Sequence, residues 1–80
     1  MIVAAAIRKD GKIYALPAPA RHHTIIHKYK LGMIPVDDQG FIDSDHGYVR
    51  RGPALKIALL NKQIKEGATP HHGLFSEDLW

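Results

Sequence analysis

The apolar positions along this chain change period several times, and each change marks an element. Met1 to Ile7 (MIVAAAI) is apolar throughout, the pattern of a strand covered on both faces. Arg8, Lys9, Asp10, Gly11 and Lys12 follow. Asp10-Gly11 is the two-residue signal of a type I′ turn, whose central positions both need positive φ. Lys12 to Leu16 then returns as the partner strand, so residues 1–16 read as one β-hairpin. Pro17 and Pro19 stop the strand and favour an extended link. Over residues 20–31 the period becomes helical, with His22, Ile25, Ile26 and Tyr29 on one face. Gly32 suits the position after that helix, and Lys28 and Lys30 complement the negative end of its dipole. Residues 33–39, broken by Pro35, read as a loop or short edge strand.

A second hairpin is expected over 40–49. Phe41 and Ile42 precede the turn formers Asp43, Ser44, Asp45 and Gly47, and Tyr48 and Val49 follow them. Over 51–64 the period is helical again. Ala54, Ile57, Ala58 and Asn61 form one stripe with Leu55 and Leu59 beside it, and Pro53 fits the first turn, where its missing N–H has no intrahelical partner. The tail 66–80 has no period, yet Leu74, Phe75, Leu79 and Trp80 are too apolar for a free end. It is expected to pack back on the domain or onto a neighbouring subunit. The fold class expected is α+β: a small single domain of antiparallel β-hairpins packed with two helices.

Composition narrows the function only slightly. A chain of 80 residues buries about 60–65% of its unfolded surface, so oligomerisation would help it. The absence of cysteine removes disulfides and thiolate metal sites. No apolar run approaches the length of a membrane span, and no signal-peptide pattern opens the chain, so a cytoplasmic protein without membrane contact is expected. The net charge of +3 comes from 11 Lys and Arg against 8 Asp and Glu. That mild excess suits an anionic small molecule, and no basic run marks a nucleic-acid surface.

The candidate chemistry lies in arginines and histidines. Arg50 and Arg51 fall at a helix N-terminus, where unpaired N–H groups also point outward, and together these make an anion site. His23 and His27, spaced i, i+4, could share a metal ion if His46, His71 or His72 supplied a third ligand. A plainer reading packs His22 near the core and leaves His23 and His27 solvated. A third has Arg21, His22 and His23 open a helix and donate to an anion. DSDHG lacks the terminal glutamate of a calcium loop, and Ser44, Ser76 and Thr24 have no activating base.

LPAPARHHTIIH, then QGFIDSDHGYVRRGPALKIALLNKQI, then LFSEDLW resemble, in that order, short proteins encoded in bacteriophage genomes. That group is similar to the anti-defence sponge proteins that phages use against Thoeris immunity, which bind a cyclic ADP-ribose signal without cleaving it and assemble as dimers or larger oligomers. The resemblance implies a cofactor-free, non-enzymatic homo-oligomer in the cytoplasm of an infected bacterial host. It would sequester a nucleotide-derived immune signal, of cyclic ADP-ribose type or a cyclic oligonucleotide as in CBASS. It points to Arg21 and His22, to Arg51, to Phe41 as a base-stacking ring, and to the Ser76-Glu77-Asp78 ending. The expected ligand-binding set is thus Arg21, His22, His23, Phe41, Tyr48, Arg51, Ser76 and Asp78. Arg51→Ala is expected to weaken binding with little loss of stability. The chain departs from the group's pattern at Arg50, where that pattern has Asp, and at Gly52-Pro53, where that pattern usually has charged residues. The alternatives are a metal-assisted phosphodiesterase-like enzyme built on His23 and His27, and a small regulator binding a host protein or nucleic acid.

Overall fold

The computed structural model describes residues 1–80. Its elements run β1 (Ile2–Lys9), β2 (Lys12–Pro17), α1 (His22–Tyr29), β3 (Gln39–Asp43), β4 (Gly47–Val49) and α2 (Arg51–Leu60), with single 3-10 turns at Val36–Asp38 and Ser76–Asp78. The strands form one antiparallel sheet in the order β2-β1-β3-β4, and the fold is α+β. Asp10 and Gly11 have φ of 52° and 77°, the positive values a type I′ turn needs. Lys9 accordingly pairs with Lys12 and Ile7 with Tyr14.

Both helices pack on one face of the sheet. Between Ile2 and Ala4 the register with β3 shifts, so Val3 is an extra residue and Ile2 comes round to the face shared by Ala5 and Ile7. These three and Phe41 of β3 meet Ile25 of α1, Ala54 and Ala58 of α2, and Leu74 and Leu79 of the tail. Phe41, Ile7, Ile25 and Leu74 are fully buried, each worth about 1.5–3 kcal/mol of apolar transfer. Ala54 and Ala58 lie one turn apart and leave no exposed surface, so α2 sits close against β3.

As the apolar run implies, β1 is covered on both faces over residues 4–7, although only one face carries helices. Ala4 and Ala6 point away from the helices, and their small size lets neighbours on the same face bury them. One such neighbour is Tyr48, whose ring lies over Gly40, the partner of Ala6.

Both helices are shorter than their periodicity suggests. α1 stops at Tyr29 because Lys30 takes the left-handed cap (φ 53°) and Leu31 N–H turns back to the Ile26 carbonyl at 3.0 Å, which buries Leu31. α2 ends at Leu60 rather than near 64. Lys62 has φ 56°, and the Gln63 amide is taken by β1: Ile2 N–H donates to its Oε1 and its Nε2 donates to the Ile2 carbonyl, both at 2.7 Å.

The tail lies on its own domain. Lys65 N–H donates to the Asp78 carbonyl at 2.8 Å, Leu74 N–H to the Arg51 carbonyl at 3.0 Å, and Trp80 Nε1 to the Ala20 carbonyl at 3.0 Å.

Candidate functional site

The residues expected to bind a ligand do not converge. Arg21 caps α1, its N–H donating to Thr24 Oγ1 at 3.2 Å, and its guanidinium is bound to the Trp80 main-chain oxygen. His22 is buried, and its Nε2–H donates to the Gly40 carbonyl at 2.7 Å. Its ring meets Phe41 edge-on at 5.0 Å. Burial lowers its pKa, so it is held as the neutral imidazole, contrary to the anion-binding role expected of it. Phe41 is in the core, where no base can stack on it. Ser76 is buried too, its hydroxyl donating to Glu77 Oε1 at 3.0 Å. Asp78 holds the final turn by accepting the Phe75 N–H at 2.9 Å. Tyr48 belongs to the outer face, with Arg8 stacked 5.5 Å from its ring centroid and its buried hydroxyl unpartnered.

His23 and His27 are exposed on α1. No group of three His, Cys, Asp or Glu side chains is arranged to share a metal ion. His46, one of the possible third ligands, instead faces Asp43 at 2.5 Å. Asp43 also accepts from the Met1 ammonium at 2.7 Å, and these two partners hold its carboxyl well below the usual carboxylate range.

Arg51 alone of the expected set lines the cavity of this molecule, a cleft of about 480 Å³. Three segments form it: Val36 and Asp37 from the first 3-10 turn, Arg50 to Pro53 from the start of α2, and His72, Gly73 and Phe75 from the returning tail. Packing places the third wall directly on the second. A Cβ on Gly73 would lie 2.9 Å from the Arg51 Cβ, so only glycine admits this approach. Leu74 N–H then donates to the Arg51 carbonyl, and Arg51 Nη1 donates back to the Leu74 carbonyl at 2.6 Å.

Arg51 is a clamp as well as a cation. Its Nη2 donates to Gln39 Oε1 at 3.0 Å, and its guanidinium carbon lies 4.3 Å from the Phe75 ring centroid. Its Nε is buried without a partner, and burial lowers its pKa while leaving it charged. Arg50 is exposed and reaches Asp37 at 3.8 Å, both side chains in solvent, so that pair is weak. Phe75 is 46% exposed and offers a ring surface.

α2 begins without a side-chain cap or an acidic residue in its first turn, and its first main-chain bond is donated by Ala54. The N–H groups of Arg51 and Gly52 are thus left without a protein acceptor. The arrangement can hold an oxyanion at the helix start and a flat ring against Phe75.

Sequence reasoning had the arginine pair at a helix start, but not the wall opposite. Phe75 reads as one more apolar residue of the tail. The sign that it differs from Leu74 is alternation, Leu74 pointing inward and Phe75 outward.

Among curated proteins and solved structures nothing matches this chain significantly. Residues 1–80 do match the family of the phage T4 y16D protein, and the chain belongs to that phage protein family.

Proposed function

We propose that this phage protein binds a small anionic molecule of nucleotide type in the cleft and holds it without cleaving it. One observation carries the reading: an uncapped helix start, the exposed cation of Arg50 and the half-exposed ring of Phe75 meet in a single cavity. Guanidinium and main-chain N–H groups suit phosphate oxygens, a ring suits a base, and the Asp37 carboxylate suits ribose hydroxyls. The lining holds no Ser, Thr, Cys or Lys that could act as a nucleophile, which favours a binder over an enzyme. In a phage protein, such a binder suits sequestration of a nucleotide-derived immune signal in the cytoplasm of the infected host. That is the role implied by the likeness to the anti-defence sponge proteins, and the signal would be of cyclic ADP-ribose type or a cyclic oligonucleotide.

The proposal extends to a homo-oligomer. Met33 and Leu60 are 98% and 84% exposed, and on a domain this small a second copy could cover such surface. Light scattering at micromolar concentration reads this part directly.

The test of function is retention. Purified protein is incubated with cyclic ADP-ribose isomers and cyclic oligonucleotides, freed of unbound ligand by gel filtration and heat-denatured. Intact nucleotide is expected in the supernatant by mass spectrometry. Altered nucleotide would make the protein an enzyme, and no retention of any of them would overturn the reading.

A further inference from the structure

The sheet ends in two free edges, and they differ. β4 is three residues long and runs into Arg50, so it offers a partner little to pair with. β2 is six residues long, keeps an unbroken register with β1 and carries no charge after Lys12. The type I′ turn fixes which of its main-chain groups are already used. Lys9 and Lys12 flank the two-residue turn and exchange both bonds, so Ile7 with Tyr14 and Ala5 with Leu16 do the same. Ile13 and Ala15 fall between these pairs, and their N–H and C=O groups point away from β1. No turn, loop or cap hydrogen bond reaches either residue. The side chains beside this edge are apolar and open: Ile13 is 45% exposed, and Tyr29, which packs on Tyr14 at 5.2 Å, is 41% exposed. Edge strands of monomers are commonly blunted by a central charge or a bulge. β2 has neither, and its Pro17 blunts only the far end.

We propose that β2 pairs antiparallel with β2 of a second copy about a two-fold axis at Tyr14, joining the two sheets into one. An antiparallel strand is its own complement under such an axis, and one register satisfies all the free groups. It sets Ile13 opposite Ala15 of the second copy, and each such pair exchanges two bonds. Moving the axis to Ala15 would oppose Ile13 to Pro17, which has no N–H to give. Moving it to Ile13 would oppose Ala15 to Gly11 of the turn. At the Tyr14 axis the two tyrosines face each other as a non-bonded pair, the closer kind, with Tyr29 beside them. Lys12 lies opposite Leu16, so no like charges meet between the strands. The area suits a reversible dimer. No side of the domain is smaller than 24 by 21 Å, so two copies can bury roughly 1,000 Å² in all, the lower bound of a specific interface. This rests on the homo-oligomer reading above and deepens it by naming the surface.

The experiment is sedimentation velocity from micromolar to millimolar concentration, paired with amide hydrogen exchange on the same wild-type protein. A monomer–dimer equilibrium is expected, with the Ile13 and Ala15 amides protected in step with the dimer fraction. The Tyr48 amide, which points outward at the opposite edge, is expected to exchange freely. Ile13→Lys, a change on an exposed side chain, is expected to keep the fold by circular dichroism and to weaken association about tenfold or more. A dimer in which the Ile13 and Ala15 amides exchange freely would overturn the edge pairing and leave the homo-oligomer reading standing on another surface. So would a dimer that survives Ile13→Lys and dissociates in Leu60→Lys. Larger species with the Tyr48 amide protected would overturn the closed two-fold pairing. A monomer at every concentration would overturn both readings and leave the edge to a strand of another protein.

Discussion

Replacing Arg51 with alanine should destabilise the fold by roughly 3 kcal/mol, in contrast to the small effect expected from sequence. The side chain donates to the Leu74 carbonyl at 2.6 Å and to Gln39 Oε1 at 3.0 Å. A hydrogen bond from a charged donor contributes about 1.5–3 kcal/mol, and the partial exposure of Arg51 puts each near the lower end. Stacking on Phe75 at 4.3 Å adds about 0.5–1 kcal/mol. Some of this is recovered when water reaches Gln39, which is only partly buried. Little is recovered at Leu74, a fully buried residue whose carbonyl would lose its donor. In a domain of this size 1 kcal/mol moves the melting temperature by about 4–8 °C, so a fall of roughly 12–24 °C is expected. Urea denaturation should show a lower midpoint at an unchanged slope. Arg51→Lys, which keeps the charge and loses the fork, should fall between the two. An Arg51→Ala variant within about 0.5 kcal/mol of wild type, the range of ordinary surface substitutions, would refute the clamp and leave Arg51 as a solvated charge.

Gly40→Ala should be destabilising by about 3 kcal/mol, because its Cβ would lie 2.4 Å from the Val49 carbonyl oxygen and 2.7 Å from the Tyr48 ring. An unchanged thermal melt would mean that Tyr48 does not cover this position. His22 makes stability depend on pH with a defined sign. Burial lowers its folded pKa below the ordinary 6.5, so the unfolded chain binds the proton more readily, and stability should fall as pH drops through 6.5 towards the folded value. His22→Gln, which keeps a donor for the Gly40 carbonyl without titrating, should flatten that part of the urea-midpoint profile; an unaltered profile would remove His22 as its cause.

What could be read from sequence was whatever local chemistry decides. Asp10-Gly11 announces a turn because two adjacent positive φ values need those residue types, and Pro53 marks the first turn of a helix because it tolerates the loss of an N–H. The end of α2 was hidden because a tertiary demand sets it. Gln63 must leave the helix to bond both main-chain groups of Ile2, sixty-one residues earlier in the chain. The candidate site was half legible for the same reason. Arg50 and Arg51 advertise themselves at a helix start, while Phe75 and His72 reach the cleft only through the docking of Gly73 and Leu74 on Arg51. His22 and Phe41 suit a ligand site and a core equally well by residue type. Their strand and helix positions point them at each other, and burial settles the matter.

The central claim is that the cleft at the start of α2 is where a nucleotide-type ligand sits. Mapping amide shifts in wild-type protein loaded with whichever nucleotide it retains tests this most directly. The largest changes are expected at the amide-bearing residues of 36–37, 50–53, 72–73 and 75, which line the cleft. Changes centred on Arg21 to His27, with the cleft undisturbed, would contradict it.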